Sequence, residues 1–143
     1  MDTITAIMQR RSVRRYAAKG IPDDHLKAIL EAGRQAPSAA NRQPWHFVVV
    51  RDEERKRKLA AACSGQDWLA DADVIVAGLG KPEVNEKWYP VDVAIAMENM
   101  ILAATALGYG TCWIGAFEEA QEPRYTDRGA AADGREEPFA RAR

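Results

Sequence analysis

The chain has 143 residues and a formal net charge of −1, with 20 basic and 21 acidic side chains. This length suits one domain with a modest hydrophobic core, and the balanced charge excludes the basic excess typical of nucleic-acid-binding proteins. No apolar run is long enough to cross a bilayer, and residues 1–8 lack the apolar stretch of a secretion signal. Two cysteines without a CxxC spacing predict neither a metal site nor a disulfide framework. We therefore expect a cytoplasmic protein without a membrane or nucleic-acid partner.

A basic stretch follows the first predicted helix. The apolar spacing of Ile4, Ile7 and Met8 predicts a helix over Thr3–Arg10, after which the chain is predicted to be extended. One hydroxyl and four guanidinium groups lie within six residues at the end of this helix, on Arg10, Arg11, Ser12, Arg14 and Arg15. Guanidinium groups that converge on one point suit a dianionic phosphate, because their planar forks match its oxygens bidentately. The alternative is a solvated basic turn on the surface.

The second predicted helix starts around Pro22, which is followed by two acidic residues, and runs to about Gln35. Gly33 lies on its apolar face and would allow another backbone to approach closely. His25, on the polar side of the first turn, is expected to be exposed and inert. His46, farther along the chain, is expected to be a packing residue rather than a catalytic base.

A loop bracketed by prolines follows, over Ala36–Trp45. Pro37 and Pro44 disfavour helical conformation in the residues before them, so an ordered irregular loop is predicted. Its small side chains could pack on the face of a planar heterocycle while Ser38, Asn41 and Gln43 bond to its edge. The alternative is a helix end followed by a purely structural turn.

The rest of the chain up to residue 117 predicts a sheet and two further helices. Apolar runs predict buried strands over Trp45–Val50 and Asp73–Leu79, and Tyr109–Gly115 reads as a turn leading into a third strand. Between the first two strands, Asp52–Cys63 predicts a helix with a solvated, charged face. The longest helix is predicted over Val91–Leu107, and its nearly all-round apolar character indicates burial in the core or in a subunit interface.

Trp88 and Tyr89 form an aromatic pair in the polar stretch before the longest helix. Such a pair can close over a bound substrate as a lid, because loops carry many binding residues. It can equally plug a hydrophobic gap in the fold. The sequence does not favour one of these interpretations over the other.

Four segments in this order resemble the nitroreductase family of FMN-dependent enzymes. The segments are RRSVR at 10–14, APSAANRQPW at 36–45, DVAIAMENMILAA at 92–104 and LGYGTCWIG at 107–115. Each segment alone is modest, but the ordered set is specific and covers about Ile4–Phe117. The resemblance implies an α+β fold with a mixed central sheet flanked by helices. It also implies an intertwined homodimer with two FMN sites at the subunit interface.

The resemblance also implies which residues form the site. Arg10, Arg11, Ser12 and Arg14 match the contacts to the phosphate and ribityl groups. Pro37, Ser38, Ala39 and Asn41 match a loop that reaches the flavin of the partner subunit. Gly115 and Ala116 match the catalytic segment whose backbone N–H faces flavin N5. No metal and no side-chain nucleophile is required, because the chemistry belongs to the cofactor.

The implied function is an FMN-dependent oxidoreductase that takes hydride from NADH or NADPH and reduces a nitroaromatic, a quinone or a similar acceptor through flavin N5. The alternative is a non-catalytic flavin-binding protein, or a degraded and truncated paralogue without activity. The chain departs from the family pattern at residues 118–143, which contain no Val, Ile, Leu or Met. We therefore expect a nitroreductase-like FMN-binding domain over residues 1–117, incomplete at its C-terminal end, and an irregular or disordered tail over residues 118–143.

Overall fold

The computed structural model describes residues 1–117, so the expected tail and the domain boundary before it lie outside the described residues. This part of the chain forms four α-helices: α1 (Thr3–Gln9), α2 (Asp23–Arg34), α3 (Glu53–Ala62) and α4 (Tyr89–Ala106). It also forms two strands, β1 (Trp45–Val50) and β2 (Ile75–Gly80), and short 3-10 helices at Ala39–Asn41 and Asp67–Asp71. The combination is the α+β fold that the sequence predicts.

Two helices begin at an aspartate whose side chain caps the first turn. The Asp2 side chain accepts a hydrogen bond from the Thr5 backbone N–H at 3.0 Å and caps α1. Hydrogen bonds from the side chain and backbone of Thr5 hold the pKa of Asp2 below its usual value. Asp52 caps α3 in the same way, since its Oδ1 lies 2.9 Å from the Arg55 backbone nitrogen. These bonds satisfy backbone donors that no helical carbonyl can reach.

The sheet is small in the described part of the chain. Strands β1 and β2 pair antiparallel, with Trp45 opposite Gly80 and Val50 opposite Ile75, and both strands are only partly buried. Ser12 and Thr111 form one isolated parallel bridge. The predicted third strand over 109–115 is therefore wrong beyond this bridge, because a strand requires a continuous ladder of backbone hydrogen bonds that residues 112–117 do not make.

The core lies where α2 crosses α4. Ile29 of α2 packs with Met100 and Ala104 of α4, and half-buried side chains from β1 and β2 surround them. At Gly33 a Cβ would lie 2.8 Å from the Met100 Cγ and 3.2 Å from the Ala96 carbonyl oxygen. The close approach predicted at Gly33 is thereby confirmed.

We expect Gly33→Val to lower the free energy of unfolding by about 1–3 kcal/mol, because its side chain would overlap with Met100 and with the Ala96 carbonyl. Urea unfolding monitored by circular dichroism measures the change. Ala28→Val puts the same side chain at an exposed position of α2 and should cost only about 0.5 kcal/mol of helix propensity. Equal losses in the two variants would mean that the close approach does not limit the packing.

Three polar side chains lie in surroundings that differ from the prediction. His25 is half-buried, with its Nδ1 2.7 Å from the Tyr109 hydroxyl, because α2 brings its first turn against the end of α4. His46 is exposed rather than packed. Lys56 is buried: its Nζ donates to the Ala72 carbonyl at 2.7 Å and pairs with Glu53 at 2.9 Å. A lysine can be buried when its ammonium group finds such partners.

Helix α4 begins two residues before the predicted start, at Tyr89. A Cβ built on Gly80 would overlap with the Tyr89 ring, so Tyr89 fills space against β2 and fits the interpretation as a plug. The neighbouring Trp88 is exposed. None of the helices in residues 1–117 is both long and apolar enough to cross a membrane.

Helices α1 and α4 pack together and leave large apolar side chains in contact with solvent. These side chains are Ile4, Ile7, Met8, Val91 and Ile95. Such exposure is unusual on a monomeric surface and marks contact surfaces when the residues are grouped. We refer to these five residues as the α1/α4 apolar side chains.

Candidate functional site

The basic stretch leaves the end of α1 with its side chains directed to the surface. The Arg10 backbone N–H closes the last turn of α1 on the Ala6 carbonyl at 3.0 Å. The Arg11 guanidinium folds back on the helix end and donates to the Met8 and Arg10 carbonyls at 3.0 and 2.8 Å. A cation at this end is favourable because helix carbonyls remain unpaired there. Arg10 is half-buried and Arg11 is exposed, so both remain accessible to an anion.

Arg14 lies over an aromatic pair that the sequence interpretation missed. Its guanidinium carbon is 6.0 Å from the centre of the Trp68 ring, and that ring lies 6.3 Å from Tyr16. The Tyr16 hydroxyl donates to the Val13 carbonyl at 2.9 Å. Burial raises the pKa of Tyr16, and Cys112 adds to this, while the positive charge of Arg14 acts in the opposite direction. This aromatic support restricts the movement of an otherwise exposed arginine.

The segment after α4 runs beside the basic stretch. The Val13 backbone N–H donates to the Thr111 carbonyl at 2.8 Å, next to the bridge between Ser12 and Thr111. At Gly110 a Cβ would lie 2.8 Å from the Val13 side chain, so only glycine fits there without displacement. These contacts bring the predicted phosphate residues close to the segment that leads to Gly115.

Gly115 and Ala116 are exposed in the described part of the chain. A Cβ built on Gly115 would meet no heavy atom within 4 Å, so the backbone there faces open space. A ligand could approach the Gly115 and Ala116 backbone without meeting a bulky side chain. The geometry leaves room at this position for a backbone N–H donor, and the assignment of that donor to flavin N5 stays a prediction.

The proline-bracketed loop is ordered and strained. The Ser38 hydroxyl accepts a hydrogen bond from the Gln43 backbone N–H at 2.9 Å and closes the loop. Ala40, Asn41 and Gln43 have φ angles of 53°, 53° and 51°, in the left-handed region that favours glycine. Non-glycine residues in this region carry strain and are often found at binding sites. This conformation differs from the alternative interpretation, a helix end followed by a purely structural turn. Pro37 and Asn41 are exposed in it.

A buried carboxylate in the first turn of α4 holds the start of this loop. Asp92 is 3% exposed, and its Oδ1 accepts a hydrogen bond from the Ala39 backbone N–H at 3.1 Å. Its Oδ2 is also buried and has no hydrogen-bond partner among residues 1–117. The sequence interpretation used Asp92 only as part of a family motif. The signal that could have identified it is an acid between apolar neighbours in the first turn of a long apolar helix.

The proline-bracketed loop and the segment beside the basic stretch are anchored near opposite ends of α4. The loop is bonded to Asp92, whereas the segment beside the basic stretch begins at Tyr109, whose N–H donates to the Ala104 carbonyl at 2.9 Å. The helical rise over the residues from Asp92 to Ala104 corresponds to about 18 Å. The anchoring points of the loop and of the segment on α4 are therefore about 18 Å apart along the helix.

The family model described as Nitroreductase family matches residues 7–73 and 61–138 of the chain, and the second range continues past the described residues. The chain is 37% identical over 119 residues to a putative NADH dehydrogenase/NAD(P)H nitroreductase of Archaeoglobus fulgidus, covering 81% of this chain and 68% of that protein. A protein of the same description from Methanothermobacter thermautotrophicus is 36% identical over 119 residues, covering 82% and 62%. The chain thus spans about two thirds of the length of these archaeal relatives.

Solved structures show the same likeness. A putative nitroreductase from Desulfovibrio desulfuricans, in complex with FMN, is 39% identical with a TM-score of 0.75, covering 80% of this chain and 68% of that one. A nitroreductase family protein from Clostridium novyi is 31% identical with a TM-score of 0.79, covering 85% and 73%. Both the sequence and the backbone of the chain are similar to those of these proteins.

Proposed function

Because the chain belongs to the nitroreductase family, we propose that it is an FMN-dependent oxidoreductase that transfers hydride from NADH or NADPH to a nitroaromatic, a quinone or a similar acceptor. The names of the archaeal relatives and the FMN complex of the Desulfovibrio neighbour support this proposal. The observation that carries it within this chain is the bridge between Ser12 and Thr111. This bridge joins the side chains proposed to bind the phosphate to the segment that leads to the open backbone at Gly115.

Arg10, Arg11, Ser12 and Arg14 would hold the phosphate and ribityl groups of FMN. Charge-assisted hydrogen bonds from guanidinium groups to a phosphate are shorter and stronger than neutral ones. Arg11 already donates to two carbonyls at the end of α1, which fixes its side chain near the site. Arg14 is supported by the Trp68 ring, so less conformational entropy is lost when it binds an anion.

The segment at Gly115 and Ala116 would carry the backbone donor to the flavin ring. Bound FMN would supply the redox chemistry by accepting a hydride and passing its electrons to the acceptor. The chain would contribute a fixed N–H dipole where negative charge develops, and small side chains that leave the ring accessible. No acid, base or nucleophile of the chain is required by this proposal.

A second copy of the chain would complete each site. The loop with Pro37, Ser38, Ala39 and Asn41 is anchored on α4 about 18 Å along the helix from the anchor of the other site segment, which fits a site assembled from two subunits. The α1/α4 apolar side chains offer a surface for such a homodimer. Flavin binding and dimer formation would then depend on each other.

Cys112 is the nearest competing candidate for chemistry, and we expect Cys112→Ser to keep most of the hydride-transfer rate. The thiol is half-buried, and its Sγ lies 3.6 Å from the Trp113 carbonyl, a weak contact that a serine hydroxyl can replace. Stopped-flow reduction of the bound flavin by NADPH measures the rate. A loss of several orders of magnitude with FMN still bound would show that the cysteine takes part in the reaction.

The proposed function is tested by following NADH or NADPH oxidation in the presence of FMN and either a quinone or a nitroaromatic compound. We expect oxidation that requires the protein, FMN and the acceptor together. The reaction with free FMN in place of the protein is the control. If the protein binds FMN but neither nucleotide reduces the bound flavin, the protein would instead be a flavin carrier, which is the alternative that the sequence left open.

A further inference from the structure

Asp92 occupies a position where a carboxylate costs the fold stability. It is 3% exposed in the first turn of α4, and its Oδ2 is without a hydrogen-bond partner among the described residues. Burial of an ionised group is unfavourable unless hydrogen bonds compensate for lost water, and here one oxygen makes one bond. Buried groups left unsatisfied in this way require an explanation, and packing alone does not provide one.

The bond that Asp92 makes reaches the start of the strained loop. Its Oδ1 accepts from the Ala39 N–H at 3.1 Å, a contact between residues that are 53 positions apart. The next residue, Ala40, is in the left-handed region, as are Asn41 and Gln43. The bond from Gln43 to Ser38 is internal to the loop. The loop end is held separately, since the Lys81 N–H donates to the Pro44 carbonyl at 2.8 Å.

We infer that Asp92 is a positioning residue: its carboxylate fixes Ala39 and thereby holds the loop in the strained conformation that presents Ser38 and Asn41 to the flavin. This inference rests on the proposed function. Without the bond to Asp92, the described hydrogen bonds at the start of the loop would be those within the loop itself, such as the bond from the Asn41 N–H to the Ser38 carbonyl at 2.9 Å. The left-handed residues would then relax, because bonds within the loop move with it and do not hold it against the rest of the fold. Asp92 itself does not touch the flavin in this account.

The test compares Asp92→Ala with Asp92→Asn, which retains an oxygen acceptor for the Ala39 N–H. FMN affinity is measured by quenching of FMN fluorescence, and amide hydrogen exchange of residues 40–43 is measured in the flavin-free protein. We expect Asp92→Ala to weaken FMN binding about tenfold or more and to speed exchange in the loop while exchange in α2 stays unchanged. Asp92→Asn should restore most of both properties. Glu98→Ala removes an exposed acid from the same helix and should change neither.

Ala39→Pro removes the donor of the same hydrogen bond. This variant provides a second test, which can be used if Asp92→Ala does not fold. Proline lacks the N–H, and the extended backbone of Ser38, with φ −140° and ψ 156°, is compatible with a following proline. If both changes act through one bond, the double variant should lose no more FMN affinity than the more impaired single variant. Additive losses, or a loss in Asp92→Asn equal to that in Asp92→Ala, would overturn the inference.

The two readouts separate this inference from the proposed function. If the parent protein binds no FMN, the proposed function fails, while loop exchange still decides the role of Asp92. If the parent binds FMN and Asp92→Ala leaves both the affinity and the loop exchange unchanged, only the inference on Asp92 fails.

Discussion

Replacing Arg14 by alanine is expected to weaken FMN binding about tenfold or more, since losing one charge-assisted hydrogen bond costs about 1.5–3 kcal/mol. Arg14 is exposed, lies over Trp68 and sits next to the bridge that connects the basic stretch with Thr111. Removing Arg10 as well should lower the affinity by about a further tenfold if the two contacts are independent. Titration of the flavin-free protein with FMN, followed by fluorescence, measures both changes.

Arg15→Ala is the matched control for Arg14→Ala, because it removes the same charge from the adjacent, exposed position. Riboflavin is the matched ligand, because it lacks only the phosphate. The Arg14 variant should lose FMN affinity and keep its riboflavin affinity, whereas the Arg15 variant should keep both. Equal FMN affinity in Arg14→Ala and the parent would rule out the assignment of Arg14 to the phosphate.

Placing a charge among the α1/α4 apolar side chains is expected to dissociate the proposed homodimer and to reduce flavin binding with it. Ile95 of α4 is 37% exposed in the single chain, so the carboxylate of a glutamate there can reach solvent in the monomer. In a dimer interface the glutamate would be buried and unpaired, at a cost of about 2–5 kcal/mol. That cost raises the dissociation constant of the dimer about 30-fold or more. Sedimentation velocity over a concentration series measures it.

Ala28→Glu introduces the same charge at an exposed position of α2 and should leave both the dimer and the FMN affinity unchanged. Ile95→Glu should lose FMN affinity in proportion to the fraction of monomer, because in the proposed two-subunit site each flavin needs the loop of the second copy. A compact monomer of the parent chain with tightly bound FMN would contradict the two-subunit site.

Local chemistry made the helices predictable from the sequence. Caps and acidic first turns depend on neighbours in the chain, and Asp2 and Asp52 cap α1 and α3 as their sequence positions indicate. The start of α4 was placed two residues late, because Pro90 fits inside the first turn of a helix instead of preceding it. Membership of the nitroreductase family could also be predicted from the four ordered segments, and the comparisons with known proteins confirm it.

Contacts between distant residues could not be predicted in this way. His25 meets Tyr109 across 84 positions, and Asp92 meets Ala39 across 53, so periodicity and spacing carry no signal for either pair. The predicted third strand failed for a related reason, because the apolar pattern of residues 109–115 says nothing about whether a neighbouring strand pairs with it. The assignments of individual residues to the phosphate, the ring and the partner loop remain predictions, which the Arg14, Ile95 and Asp92 variants test.

FMN binding and flavin reduction are tested together by one anaerobic absorbance experiment on the protein after incubation with FMN and removal of the unbound flavin. We expect a yellow protein with a perturbed flavin spectrum, and the yellow absorbance should bleach when NADH or NADPH is added and return when an acceptor is supplied. A protein that is colourless after the unbound flavin has been removed would show that the chain does not bind FMN. A yellow protein whose spectrum stays unchanged with both nucleotides would contradict the proposed oxidoreductase activity.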